Sequence, residues 1–284
     1  MSDTFPPLSL VVRGVGWVGV IVFLLWVFEY RNVFQPSRGY RTQGDEFGIK
    51  PERVRLKTKD GVSLGAWFYP ARGGTCFDGW VVLVAHGNGG NLADRVGLYE
   101  CWHSLGVAVL AFDYRGYGES EGWPSEEGSY RDAEAAHEWL VHRGFKPARI
   151  VAHGESLGGG VVSELAVRQP IGGLVLQSTF TRITDVGAEL FPYLPVRLLS
   201  RIRYNTMEKL PFVRVPVLIL HSRQDSLIRF EHAERNYSVA RDPKWIREIS
   251  GDHNDQPAAD SVGFREAVGD FLKAIVSLQR RAAN

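Results

Sequence analysis

The sequence predicts an α/β domain with a mostly parallel sheet, preceded by an apolar N-terminal segment. Residues 53–69 alternate in two runs around Asp60-Gly61, a dipeptide typical of a hairpin turn. Beyond the hairpin, short apolar runs alternate with helical segments such as 125–144, and this order favours parallel strands buried on both faces. The runs lie at 80–86, 107–113, 149–154, 173–178, 215–221 and 245–250.

Composition bounds the class of protein. The 284 residues are 44% hydrophobic and 23% charged, which is enough apolar material for one sizeable core. The formal net charge of +1 supplies no field that attracts nucleic acid. Cys76 and Cys101 match neither a disulfide framework nor a metal site, and we interpret Cys101 as a small core residue.

The N-terminal segment is long and apolar. Residues Leu8 to Phe28 contain one charge, Arg13, and their number is close to the ~20 residues that cross a bilayer. Arg13 lies where its side chain can reach one interface, and Trp26 and Tyr30 lie at the other end, where aromatic rings favour lipid headgroups.

A cleaved signal peptide and a buried core helix are the alternatives to a membrane anchor. A signal peptide fits poorly because a charged start and a small-residue cleavage site are missing, and a core helix fits poorly because the recognisable domain begins near Pro51. We therefore predict a single-pass transmembrane anchor within residues 1–30. Arg31, Arg38 and Arg41 follow it, so the positive-inside rule puts the rest of the chain in the cytoplasm.

The remaining chain divides into two parts. Residues 31–50 are polar and rich in turn formers, and we interpret them as a linker; residues 51–284 form the α/β domain. The segment 179–214 is longer than a simple crossover between strands. Its apolar residues are consistent either with a small cap over a substrate pocket or with two packed crossover helices.

The strongest local signal is Gly154-Glu155-Ser156-Leu157-Gly158, between a predicted strand and a predicted helix. In that context Gly-x-Ser-x-Gly is a nucleophile elbow, a sharp turn that exposes a strained serine. Side chains two residues to either side would collide, and Gly154 and Gly158 remove them. Ser156 is therefore the predicted nucleophile.

A serine hydroxyl needs a base, and a loop after the last predicted strand supplies His253. In chain order an acid is expected between serine and histidine. Asp225 follows the strand at 215–221 and is predicted to orient the histidine and stabilise its imidazolium. Asp252 and Asp255 flank His253 and are the rival acids, but neither turns back easily to its neighbour's ring.

A tetrahedral oxyanion needs hydrogen-bond donors. The backbone N–H of Leu157, directly after the nucleophile, is one predicted donor. The second is expected from the loop at 86–91, and we assign it to the N–H of Asn88, where following glycines let backbone approach a substrate. This loop lacks the lysine and spacing of a phosphate-binding loop and the glycine order of a dinucleotide site.

Taken together, these pieces resemble the α/β-hydrolase-domain proteins that carry one N-terminal membrane anchor, over about residues 20–275. The resemblance implies the α/β-hydrolase fold and places that family's triad on Ser156, Asp225 and His253. Its relatives include serine aminopeptidase-like proteins, esterases, lipases and acyl-protein thioesterases. The matching blocks are AHGNGGN (85–91), FDYRGYGESEGWPSEEGSYRDA (112–133), GESLGGG (154–160), QSTFTRITD (177–185), VPVLILHSRQD (215–225) and ISGDHND (249–255).

Three functions are compatible with these features. The first is a hydrolase of small-molecule acyl esters or thioesters near a membrane, with neither cofactor nor metal. The second is an aminopeptidase-like enzyme, which needs an acidic pocket for a free amine; Glu155, Glu189 and Asp185 are the nearest candidates. The third is a silent membrane scaffold, which an intact triad and a strained elbow disfavour. The sequence gives no indication of the oligomeric state.

Overall fold

A computed structural model describes residues 8–255 and 258–283. Within them, eight strands form one sheet in the order β10-β9-β8-β7-β4-β6-β3-β2, and the short strand β1 pairs with β5 beside it. The strands are β1 Gln35–Pro36, β2 Glu52–Lys57, β3 Ser63–Tyr69, β4 Val81–Ala85, β5 Gly89–Gly90, β6 Ala108–Phe112, β7 Ile150–Glu155, β8 Gly173–Gln177, β9 Val217–His221 and β10 Lys244–Glu248.

Helices connect these strands. They are α1 Leu8–Val33, α2 Val96–His103, α3 Glu126–His142, α4 Leu157–Arg168, α5 Ile183–Leu190, α6 Val196–Leu199, α7 Thr206–Lys209, α8 Phe230–Val239 and α9 Ser261–Ala283. Short 3₁₀ turns lie at Leu92–Arg95, Pro147–Arg149, Leu210–Phe212 and Ala258–Asp260.

The sheet is mostly parallel, as the sequence predicts. The hairpin around Asp60-Gly61 is confirmed, because β2 and β3 pair antiparallel with Leu56 opposite Leu64. β3 also pairs antiparallel with β6, and all the pairings from β6 across to β10 are parallel. Each of the six apolar runs coincides with a strand, and the bounds differ by at most two residues at each end.

Two apolar layers sandwich the sheet because consecutive strand residues point to opposite faces. In β4, Val81 and Leu83 pack into the layer formed with α3, α4 and α8. Val82 and Val84 pack into the opposite layer, formed with α2 and α9. All four side chains are fully buried. This double burial explains why the strands read as continuous apolar runs rather than as alternating ones.

A charge cluster around the buried Arg115 and Asp132 secures the loop after β6. The Arg115 guanidinium donates to Asp132 at 2.8 Å and to Asp60 at 2.8 Å, and thereby joins the loop to α3 and to the hairpin. Asp113, at the start of this loop, accepts hydrogen bonds from the backbone N–H of Leu92 and from the Tyr40 hydroxyl, both at 2.8 Å. These charges brace the loops at one edge of the sheet.

The described part of the N-terminal segment is helical. α1 runs from Leu8 to Val33 and so covers the predicted anchor, while residues 1–7 and the side chains of residues 8–16 lie outside the described part. Trp17, Ile21 and Phe23 are more than half exposed. Among the residues that the structure describes, no helix combines the length and the apolar character needed to cross a bilayer.

The chain after α1 packs against the domain. Phe34 is buried, and the Gln35 N–H donates to the carbonyl of Asn88 at 3.1 Å. Further along, the segment 179–214 contains α5, α6 and α7. Several of its apolar side chains remain exposed, among them Tyr193 and Leu198.

Candidate active site

Ser156 lies at a sharp turn between β7 and α4. Its backbone has φ 51° and ψ −113°, a left-handed conformation that costs energy for a residue with a side chain. The Ser156 N–H donates to the carbonyl of Gln177 on the neighbouring β8 at 2.9 Å. The surrounding sheet and helix therefore hold the strained residue in place.

Close backbone packing at this turn explains the two flanking glycines. A Cβ on Gly154 would clash with the backbone of Gly158 and Gly159, and a Cβ on Gly158 would clash with the carbonyl of Ala85 at the end of β4. Collisions of this kind are what the sequence predicts for both glycines, and the atoms involved belong to the backbone.

The structure brings the three predicted triad side chains together, although they are 28 and 97 residues apart along the chain. His253 Nε2 lies 3.0 Å from Ser156 Oγ, and His253 Nδ1 lies 2.8 Å from Asp225 Oδ2. Because a carboxylate accepts, Nδ1 carries the proton and Nε2 is free to accept from the serine. All three side chains are buried.

Asp225 is held by the backbone as well as by the histidine. Its Oδ1 accepts from the N–H groups of Leu227 at 3.0 Å and Ile228 at 2.7 Å. His221 Nε2 lies 3.5 Å from Asp225 Oδ2 and donates to the Ile228 carbonyl at 2.7 Å. Burial lowers the pKa of His221, so this second imidazole stays neutral beside the carboxylate.

Asp252 and Asp255, the rival acids, have different surroundings from Asp225. The Asp252 carboxylate accepts from the N–H and hydroxyl of Ser226, both at 2.8 Å, and from the N–H of His253 at 2.7 Å. These bonds lower the pKa of Asp252, and they turn it toward the backbone of its neighbour rather than toward the ring. Asp255 lines the cavity described below.

The two predicted oxyanion donors follow neighbouring strands of the sheet. Leu157 follows β7, and Asn88 lies in the loop after β4. Leu157 is the first residue of α4, so its N–H belongs to the free donors of a helix start. The carbonyl of Gly87 is 2.7 Å from His86 Nδ1, which donates to it. Since the N–H of a trans peptide points opposite to its C=O, the Asn88 N–H is turned away from His86. Within the described residues it has no acceptor.

Ser156 and His253 face a cavity of about 810 Å³. Much of the lining is apolar and comes from α1, α5, α6 and neighbouring loops. The apolar lining residues include Leu25, Trp26, Phe28, Val33, Phe180, Ile183, Val186, Leu190, Phe191, Leu194, Val196, Leu199, Leu227 and Ile228. The polar lining residues include Glu29, Asn32, Arg41, Asn88, Asp94, Arg95, Glu155, Asn254 and Asp255.

The acids considered for amine binding are all paired. Glu155 accepts from Arg95 Nε at 3.1 Å and from Nη2 at 3.2 Å. Burial works to raise the pKa of Glu155, but Arg95 outweighs it and the net pKa lies below the usual value. Asp185 pairs with Arg197 at 3.0 Å, and Glu189 lies 3.3 Å from His232 Nε2. Of the three, only Glu155 lines the cavity.

Sequence reasoning missed two parts of this site. One is Arg95, whose role depends on tertiary contact with Glu155 and has no local signature. The other is α1, because an apolar run has the same composition whether it faces lipid or a cavity. Across the described residues, no group of three or more His, Cys, Asp or Glu side chains is arranged to hold a metal ion.

The strand order and the delivery of each site residue from the carboxyl edge of the sheet define the class, an α/β hydrolase. A sequence profile described as "alpha/beta hydrolase fold" matches residues 81–201. The chain belongs to the α/β-hydrolase family.

Named relatives and solved structures agree with this assignment. The chain is 32% identical to the alpha/beta hydrolase domain-containing protein WAV2 of Arabidopsis thaliana, over 84% of this chain and 87% of that protein. It is 34% identical to the lysophosphatidylserine lipase ABHD12 of Danio rerio, over 77% and 69% respectively. The Pyrococcus furiosus esterase Pf2001 shares the fold, with a TM-score of 0.69, 24% identity and coverage of 85% and 97%. Fold and relatives together support a hydrolase.

The elbow packing predicts the effect of a single methyl group. Gly158→Ala places a Cβ against the Ala85 carbonyl and is expected to destabilise the fold by about 1–3 kcal/mol, as overpacking does. Gly97→Ala on α2 is the matched control, because a Cβ there meets no atom within 4 Å. Urea unfolding measures both. Equal stability of the two variants would show that the elbow has room to spare.

Proposed function

We propose that this protein is a serine hydrolase that cleaves carboxylic ester or thioester bonds of acyl or lipid-like substrates through an acyl-enzyme. One observation carries the proposal. The hydrogen-bonded series Ser156–His253–Asp225 opens into a cavity with an extended apolar wall. A nucleophile activated by a base, next to an apolar surface, suits an acyl group.

In the acylation step, His253 Nε2 takes the Ser156 hydroxyl proton as Oγ attacks the carbonyl carbon. The carbonyl π electrons move to its oxygen, where the N–H groups of Leu157 and Asn88 stabilise the negative charge. Asp225 stabilises the imidazolium. When the tetrahedral intermediate collapses, the bond to the leaving oxygen or sulfur breaks and His253 returns the proton to that atom.

Deacylation repeats these roles with water. His253 takes a proton from water as its oxygen attacks the acyl carbon, and the bond to Ser156 Oγ breaks while the serine regains a proton. No redox change occurs, and the residues named supply every proton transfer. The neutral state of the neighbouring His221 leaves the Asp225 charge available to His253.

Charge pairing favours an ester or thioester over a peptide. A free α-amine needs an unpaired carboxylate, but Glu155, Asp185 and Glu189 each face an arginine or histidine. An alcohol or thiol also leaves more easily than an amine and needs less help from remote binding energy. The relative from Danio rerio is named a lipase. A silent scaffold is disfavoured, since it gains nothing from strain at Ser156.

We also propose that α1 holds the enzyme at a membrane, as a single-pass anchor with the domain on the cytoplasmic side. The exposed apolar side chains Trp17, Ile21, Phe23 and Leu24 support contact with lipid. Burying such side chains stabilises association by about 25 cal/mol per Å². The cavity is lined by the same helix, which brings the site near a source of lipid-like substrate.

The triad makes a graded prediction. Ser156→Ala is expected to abolish labelling by a fluorophosphonate probe and all ester turnover. Asp225→Asn is expected to lower kcat by about 10⁴-fold, because the wrong tautomer of His253 is favoured. Asp252→Asn is the control and should stay near wild type, since Asp252 does not contact the ring. A larger loss in Asp252→Asn than in Asp225→Asn would reassign the acid.

Substrate class has its own test. Wild type is expected to hydrolyse p-nitrophenyl acyl esters, and to cleave aminoacyl arylamides of matched size slowly, because Glu155, the candidate for amine binding that lines the cavity, is paired with Arg95. Steady-state kinetics on both series, with Ser156→Ala as the blank, measure the difference. A higher kcat/KM for the arylamides would favour the peptidase.

Membrane attachment is tested by extraction. Wild type is expected to stay in the membrane pellet after carbonate treatment. The double variant Ile21→Glu, Phe23→Glu should be released in part, because each carboxylate costs about 3 kcal/mol in apolar lipid. Val262→Glu, at an exposed position on α9, is the control for added charge. Complete release of the wild type by carbonate would refute the anchor.

A further inference from the structure

The C-terminal half of α1 lies inside the candidate site. Leu25 and Phe28 line the same cavity as Ser156 and His253. The Phe28 ring also packs edge-on against Phe191 at the end of α5, with centroids 5.2 Å apart. This helix therefore contributes an apolar wall to the cavity.

A polar contact ties this wall to the segment after α6. The N–H groups of Arg201 and Ile202 each donate to the Glu29 carboxylate at 3.1 Å, and the Ser200 hydroxyl donates to it as well. Hydrogen bonds to an ionised carboxylate are roughly twice as strong as neutral ones. Next to them, the Arg201 guanidinium stacks on the Trp26 ring.

These contacts join two elements that are far apart in sequence. Glu29 and Arg201 are separated by 172 residues, and the interaction joins α1 to the segment 179–214 at the cavity that Glu29 and Ser200 line. Loss of the Glu29 carboxylate would leave two backbone N–H groups and one hydroxyl without this acceptor. The Phe28–Phe191 contact and the stacking of Arg201 on Trp26 would remain.

We infer that α1 is part of the acyl-binding site, with Phe28 as a specificity-determining residue for long acyl chains and Glu29 as the residue that positions the wall. This inference rests on the proposed esterase function and adds the part of the substrate that α1 recognises. An acetyl group fills little of a cavity of about 810 Å³, whereas a long chain must contact its apolar walls. The length of the acyl chain is therefore the property of the substrate that α1 distinguishes.

The test compares kcat/KM for p-nitrophenyl acetate and p-nitrophenyl decanoate in the full-length protein. Phe28→Ala is expected to lower the decanoate value about tenfold relative to acetate, which is within the range that lost methylene contacts produce in an apolar pocket. Phe23→Ala is the matched control, because Phe23 lies on the same helix, is more exposed than Phe28 and does not line the cavity. It should leave the ratio unchanged.

Glu29→Ala tests the positioning role. It is expected to raise KM for decanoate more than for acetate, with kcat for acetate close to wild type. Glu29→Gln keeps an acceptor oxygen and should restore part of the decanoate activity. Glu231→Ala, at an exposed position on α8, is the control for removal of a charge. A small fluorophosphonate should label all these variants at the wild-type rate if the triad is intact.

The outcomes separate the two proposals. If the wild type hydrolyses neither ester, the proposed function is wrong and this inference falls with it. If the wild type is active but Phe28→Ala and Glu29→Ala lower acetate and decanoate equally, the esterase stands and α1 is only a structural support. Loss confined to the long chain, with fluorophosphonate labelling preserved, supports α1 as part of the acyl site.

Discussion

The close crossing of α4 over the end of β4 is the constraint on which the rest of the site depends. Gly158 lies against the Ala85 carbonyl, so the start of α4 approaches the sheet more closely than any larger residue allows. This approach gives the left-handed turn at Ser156 its shape, and it places the Leu157 N–H beside the loop that follows β4. The turn at Ser156 and the loop at 86–91 are neighbours because β7 and β4 are neighbours.

Charge in and around the cavity is mostly balanced locally. Arg95 neutralises Glu155, and Asp225 is satisfied by two backbone N–H groups and His253. A buried carboxylate without such partners would take up a proton or destabilise the fold. With Glu155 and Asp225 paired in this way, apolar contact is expected to supply much of the recognition that the cavity offers. For that recognition, the apolar side chains that α1 contributes to the cavity wall matter more than its charged ones.

Much of the fold follows from local pattern, whereas the composition of the cavity does not. Strand runs and the hairpin at Asp60-Gly61 have signatures of short range, and the Gly-x-Ser-x-Gly turn specifies its own geometry. Asp225 and His253 could be proposed because the chain order of site residues follows the strand order. Arg95 and Phe28 could not, because each matters through a partner 60 or more residues away. An apolar helix carries no local mark of which neighbour its faces will meet.

The short pairing of β1 with β5 connects the end of the N-terminal helix to the loop at 86–91. The Gln35 and Ser37 N–H groups donate to the carbonyls of Asn88 and Gly90. Phe34, directly before them in the chain, is buried in the core. Backbone hydrogen bonds therefore connect the end of the N-terminal helix to the loop that contains Asn88. A displacement of the helix would be transmitted through these hydrogen bonds to the backbone next to Ser156 and His253, which line the same cavity as Asn88.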